Sequence, residues 1–151
     1  GRALRSIPFL KTILIVYVWV VVGTVLPSRL YHIQPLNYSL IVWEHAFFIA
    51  MLAIAFDMRD YEQDLKERIG TLPTILGEER AKYAAIVLGP LAVITAINIS
   101  LEYGVSLAVA DFSAMMVLFR SPSLKTSKLF AYFTDGLILV RLFLVWWAVN
   151  S

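Results

Sequence analysis

Residues 56–77 read FDMRDYEQDLKERIGTLPTILG and lie between two long apolar runs. Five carboxylates (Asp57, Asp60, Glu62, Asp64 and Glu67) and three bases (Arg59, Lys66 and Arg68) crowd into this stretch. The 151-residue chain as a whole has the opposite character: 60% of its residues are hydrophobic, 16% are charged, and its mean hydropathy is +0.75. A soluble domain of this size rarely combines so little charge with so much Leu, Ile, Val and Phe. Several runs approach the roughly 20 apolar residues needed to cross a bilayer. The composition therefore predicts an all-α integral membrane protein. The chain has no cysteine, which excludes a disulfide framework and thiolate metal ligation. A formal net charge of +2 gives no reason to expect a nucleic-acid partner.

Five apolar segments stand out, at about 7–26, 39–56, 83–101, 104–119 and 129–149. Pro27 and Pro35 punctuate the first connection and Pro122 the last. Pro90 follows Gly89 inside the third segment and predicts a kink, which membrane helices tolerate. The short EYG at 102–104 predicts a tight hairpin between the third and fourth segments. The first run is a spanning helix rather than a signal peptide, since it lacks a small-residue cleavage site and four similar runs follow it. The start on Gly1 suggests a piece of a longer chain, organised as one membrane domain over 1–151 with a motif loop at about 57–82.

Basic residues set the expected orientation. With the N-terminus in the cytoplasm, that side receives 11 bases: Arg2, Arg5, Lys11, Arg59, Lys66, Arg68, Arg80, Lys82, Arg120, Lys125 and Lys128. The other side receives Arg29 alone, and Arg141 falls within the last span. Five spans then place the motif loop in the cytoplasm and the C-terminus outside. The expected location is a bacterial cell membrane.

If the second helix continues past Phe56, Asp57, Asp60 and Asp64 fall at about 0°, 300° and 340° around its axis. Three carboxylates on one such face repel one another unless a cation sits among them. Mg²⁺ takes oxygen ligands and commonly joins a few carboxylates to phosphate oxygens. Basic neighbours such as Arg59 and Lys66 suit an anionic phosphate ligand. Spacing alone does not separate this reading from an ordinary charged connector, the loop of a non-enzymatic transporter or assembly subunit.

The same stretch resembles the second aspartate-rich motif of the UbiA superfamily of intramembrane prenyltransferases. An Asp-x-x-Asp-x-x-x-Asp cluster is followed there by a basic stretch, a Thr-(Leu/Ile)-Pro and a Leu-Gly. Here these are Asp57, Asp60, Asp64, Lys66, Gly70, Thr71, Leu72, Pro73, Leu76 and Gly77. A weaker match is IPFLK at 7–11, where the family often has a Tyr-Pro-x-x-Lys-like sequence; Pro8 and Lys11 fit, and Ile7 replaces the tyrosine. The resemblance implies that the five spans correspond to helices five to nine of a nine-helix bundle. It implies transfer of a prenyl group from an allylic diphosphate to an acceptor, usually aromatic, with Mg²⁺-assisted departure of pyrophosphate. It assigns Asp57, Asp60 and Asp64 as metal ligands, with Asp60 and Asp64 catalytic, and Lys11, Arg59 and Lys66 as diphosphate-binding groups. The family's first aspartate-rich motif has no counterpart in these residues, so the chain by itself is expected to be inactive. A soluble prenyl synthase is excluded by the hydropathy, and the Gly-x-x-Ala-Arg insert of CDP-alcohol phosphotransferases is absent.

Several polar residues lie outside this motif. Glu44 and His45 fall in the second span, and intramembrane ionisable groups are functional candidates by default. Asp57 follows Glu44 by 13 residues, about 20 Å of helix, so the pair is expected near the outer face, in interhelical hydrogen bonds or at the interface. Asp111 lies in the fourth span, with Asn98 or Tyr103 as expected partners. Asp135, six residues into the last span, is a further site candidate near the cavity mouth, where its DG sequence resembles last helices of some family members. Arg141 is deep enough to pair with Asp111 or Asp135. Trp146 and Trp147 fit an interfacial belt.

Overall fold

The computed structural model describes residue 7 and residues 9–32, 35–120, 136–144 and 146. These residues form helices and connecting turns, with no strand among them. The expected Trp147 and Asp135 lie outside the described residues.

Helix α1 spans Leu10–Leu30 and is apolar through its middle, with Lys11 and Thr12 near its start and Arg29 near its end. It does not stop before Pro27, as the proline suggested. Instead Val21–Val25 adopt a π-type turn and Leu26–Leu30 continue as α-helix. Pro27 has no N–H to offer the carbonyl four residues back, and its ring presses on that turn; widening the turn absorbs both effects. Helix α2 covers Tyr38–Arg59, and the short helices α3 (Tyr61–Lys66) and α4 (Leu72–Leu76) carry the charged stretch. Helix α5 (Glu78–Ile97) runs through Pro90 without ending, and α6 covers Leu101–Arg120. Residues 136–144 are also helical.

Three of these helices, α1, α2 and α5, are long and apolar enough to cross a membrane. The fourth expected segment is helical, but its apolar stretch is the shorter Gly104–Met116, and the fifth is described only in part. The hairpin between α5 and α6 turns at residues 98–100, a few residues before the expected EYG. Gly104 therefore sits in the first turn of α6, where a Cβ would collide with the Ala96 carbonyl oxygen. Close backbone approach of this kind is the usual way membrane helices pack, because lipid offers no hydrophobic drive between them.

Helix α2 is the central element. It packs against α1 on one side and α5 on the other, with α6 following on α5. Its buried Phe48, Ile49, Met51, Leu52 and Ile54 form the core with Ala81 and Ala85 of α5, Ala114 of α6 and Leu137. Small residues on α5 and α6 let the backbones close on these larger side chains. Large apolar residues elsewhere point outward, among them Ile13, Tyr17 and Val18 of α1 and Val87 and Ile94 of α5. An outer surface of this kind suits contact with acyl chains.

The antiparallel run of helices gathers the start of α1, the end of α2, helices α3 and α4, and the start of α5 at one end. The Phe9 N–H donates to the Gly70 carbonyl at 2.8 Å, which fixes the start of α1 on the charged stretch. At the opposite end, Asn37 Nδ2 donates to the Ile99 carbonyl at 2.7 Å and ties the α1–α2 connection to the α5–α6 turn.

Candidate functional site

Helix α2 does not continue through the aspartates. It ends at Arg59, Asp60 takes a non-helical conformation (φ −89°, ψ 9°), and α3 starts anew at Tyr61. The break changes which carboxylates converge. Asp57, in the last turn of α2, and Asp64, in α3, are both buried and both meet Lys11 from the first turn of α1. Lys11 Nζ lies 2.9 Å from Asp57 Oδ1 and 3.1 Å from Asp64 Oδ2. The Thr12 hydroxyl donates to Asp57 Oδ2 at 2.8 Å, while Oδ1 faces the Lys11 ammonium as an ion pair. Thr12 is itself buried.

Asp60 takes a different place. Arg59 Nε donates to its Oδ1 at 2.8 Å and Nη2 to its Oδ2 at 3.0 Å, a two-pronged pair between neighbours. The Arg59 guanidinium also stacks 5.0 Å from the centre of the Phe56 ring. The shared face expected for all three aspartates is thus divided, with Asp57 and Asp64 on Lys11 and Asp60 on Arg59. Lys66 is exposed.

The segment that follows holds this arrangement in place. The Ile69 N–H donates to the Asp64 carbonyl at 2.8 Å, closing the end of α3. Thr71 and Thr74 cap α4 reciprocally, and the Thr74 hydroxyl also donates to the Ile69 carbonyl at 3.0 Å. Thr71 and Pro73 are fully buried, so this turn packs into the protein rather than trailing in solvent. Gly77 then joins α4 to α5 at φ 89°, a left-handed position where a side chain would be strained. The Thr-x-Pro and Gly of the sequence therefore shape the loop that carries the acidic residues.

A cationic group already bridges two buried carboxylates here, so the geometry converges on positive charge. Carboxylate oxygens are also the donors that a hard divalent ion prefers, and Mg²⁺ usually takes one or two of them together with phosphate oxygens and water. Among the described residues, no three His, Cys, Asp or Glu side chains are grouped closely enough to hold a metal by themselves. The donor chemistry fits an ion that shares its shell with a phosphate ligand.

A family model for UbiA prenyltransferases matches residues 6–134, most of the chain, including Lys11 and the whole aspartate stretch. The chain belongs to the UbiA prenyltransferase family. No curated protein and no solved structure compared with it gives a match. In this UbiA chain the two sequence motifs, 53 residues apart at Lys11 and Asp64, are brought into one hydrogen-bonded unit.

Sequence reasoning missed Thr12, since a threonine in an apolar run gives no sign of a partner 45 residues away. Replacing it tests the site's construction. Thr12→Val removes one hydrogen bond to a buried carboxylate and should cost about 1–3 kcal/mol, whereas Thr12→Ser should stay near wild type. Reversible unfolding in mixed micelles, followed by circular dichroism, measures both.

Proposed function

We propose that this UbiA-family chain takes part in transfer of a prenyl group from an allylic diphosphate to a hydrophobic, usually aromatic, acceptor. The observation that carries the reading is the convergence of Asp57, Asp64 and Lys11 at one end of an apolar helical bundle. The five segments read from the sequence then correspond to helices five to nine of the family's bundle.

The family is generally Mg²⁺-dependent, and Asp57, Asp60 and Asp64 are the residues that would hold the ion, together with a phosphate ligand and not by themselves. When bound, Mg²⁺ supplies charge neutralisation of the pyrophosphate. The chain's own contributions follow from its electrostatics. Lys11 is about one-third exposed, so its ammonium can meet an anion while staying against the carboxylates. Arg59 and Lys66 add positive charge nearby in sequence, and Arg59 offers a planar donor array suited to phosphate oxygens. These cations stabilise the negative charge that builds on the leaving pyrophosphate, an effect that grows in a site screened from water. The allylic carbon that loses pyrophosphate acquires cationic character, and apolar helix walls keep water from capturing it. The prenyl tail has a compatible environment among the helices and the lipid.

Lys11, Arg59, Lys66, Arg68, Arg80 and Lys82 belong to the elements gathered at the aspartate end, while Arg29 belongs to the opposite end. This asymmetry supports a cytoplasmic aspartate end. The chain has no cysteine, so single-cysteine labelling is clean. A Glu79→Cys protein should react with a membrane-impermeant maleimide only in inverted vesicles; reaction confined to right-side-out vesicles would reverse the topology.

The activity itself is tested with the full-length protein in membranes, a radiolabelled allylic diphosphate and a panel of aromatic acceptors. Transfer should require Mg²⁺ and stop on chelation. Asp60→Ala and Asp64→Ala should each lower the rate at least about 100-fold, the scale expected when transition-state charge stabilisation is lost, while insertion is retained. Undiminished transfer in both variants would refute the assignment, and loss of labelled transfer in no variant but Lys11→Met would shift the role to the lysine alone.

A further inference from the structure

The end of the bundle away from the aspartates holds a second buried ionic network that prenyl transfer does not use. Arg141 donates from Nη2 to Glu44 Oε2 at 2.6 Å and from Nη1 to Asp111 Oδ1 at 2.9 Å. Its guanidinium also lies 4.2 Å from the centre of the Phe48 ring. Glu44 is 1% exposed, Asp111 0% and Arg141 8%, so three ionisable groups are buried where bare charge is costly. Asp111 thus meets Arg141, one of the partners expected for that arginine, and Glu44 joins them from α2.

This network borders a cavity of about 460 Å³, lined by Gly23, Thr24, Tyr38, Glu44, His45 and Arg141 among others. Its α1 wall is the π-type turn, and such turns occur frequently at functional sites. Gly23 in that turn leaves room against the imidazole: a Cβ there would stand 3.2 Å from His45 Nε2. The lining is mostly apolar. Glu44 lines the cavity and Asp111 lies behind it, both held by the one guanidinium of Arg141. Glu44 Oε1 and His45 Nε2 are buried at this wall without a hydrogen-bond partner among the described residues.

We propose that this cavity is a binding site for a small amphiphile with an apolar body and a hydrogen-bond-donating head, an alcohol or a protonated amine. Its apolar body lies against the α1–α2 wall, and its head sits toward Glu44 and His45. The unpaired acceptor atoms of Glu44 and His45 favour a donor and oppose an anionic head. The size is that of an ordinary small-ligand pocket. Glu44 precedes Asp57 by 13 residues on one helix, about 20 Å, so the site is separate from the aspartate end.

The test uses the full-length protein in nanodiscs and four photoreactive diazirine probes of equal chain length: a decanol, its methyl ether, a decylamine and a decanoate. Labelled peptides are mapped by mass spectrometry. The alcohol, the amine or both should label residues 20–45 about tenfold more than the ether and the decanoate. Which of the two dominates distinguishes a neutral donor from a cationic one. Thr24→Phe fills the cavity without touching the ion network and should abolish this labelling. Glu44→Gln keeps the shape, lowers the charge, and should reduce the preference for the amine over the ether. Equal labelling by ether and alcohol with no excess by the amine, preferential labelling by decanoate, or undiminished labelling in Thr24→Phe would each overturn the proposal. Thr24→Phe carries the decision if Glu44→Gln fails to fold.

Discussion

One ammonium group, Lys11 Nζ, holds together two buried carboxylates from different helices. In an apolar protein this contact governs much else. Asp57 and Asp64 have side chains only 1% and 4% exposed, and a buried carboxylate with no counter-charge is expensive. Lysine suits the role because its compact ammonium on a flexible stem can sit between two acceptors from different helices. The start of α1 is then pinned to the end of α2 and to α3, and the Phe9–Gly70 hydrogen bond and the Thr12 hydroxyl reinforce the same junction. Without that junction the aspartate stretch has only short helices of five and six residues to order it, too short to be stable alone.

Polar chemistry is thus confined to the two ends of the bundle, with an apolar layer around Phe48, Met51, Leu52 and Ile54 between them. At the aspartate end one base faces two acids and remains open enough to meet an anion. At the other end one base again faces two acids, but Arg141, Glu44 and Asp111 are all buried and bridge α2, α6 and the helical residues 136–144. With similar charge ratios in different surroundings, the ligands proposed for the two ends differ: phosphate with a metal at the first, a donor-headed amphiphile at the second.

Much of this was legible in the sequence. Hydropathy predicted helices and the membrane class, and the aspartate spacing with the Thr-x-Pro and Gly after it carried the resemblance to the family, which the family match bears out. Lys11 emerged from family resemblance, since nothing local distinguishes a lysine near the start of an apolar run. What escaped depends on contacts between distant segments. Helical periodicity put Asp60 beside Asp57 and Asp64, but the helix breaks at that residue, a boundary that periodicity cannot locate. The partnership of Glu44 with Arg141 spans 97 residues, and Thr12 is an unremarkable residue until Asp57 is folded against it. Pro27 looked like a stop signal, yet a wider turn let the helix pass.

The central claim is that Lys11 and Asp64 are energetically coupled across the 53 residues between them. A double-mutant cycle with Lys11→Met and Asp64→Asn measures that coupling directly, as reversible unfolding in mixed micelles. The account predicts that the double variant is more stable than the sum of the single losses by at least about 1 kcal/mol, because Asp64→Asn removes one of the two buried carboxylates that Lys11→Met leaves without a counter-charge. Losses that add within about 0.3–0.5 kcal/mol, the range for independent sites, would contradict it.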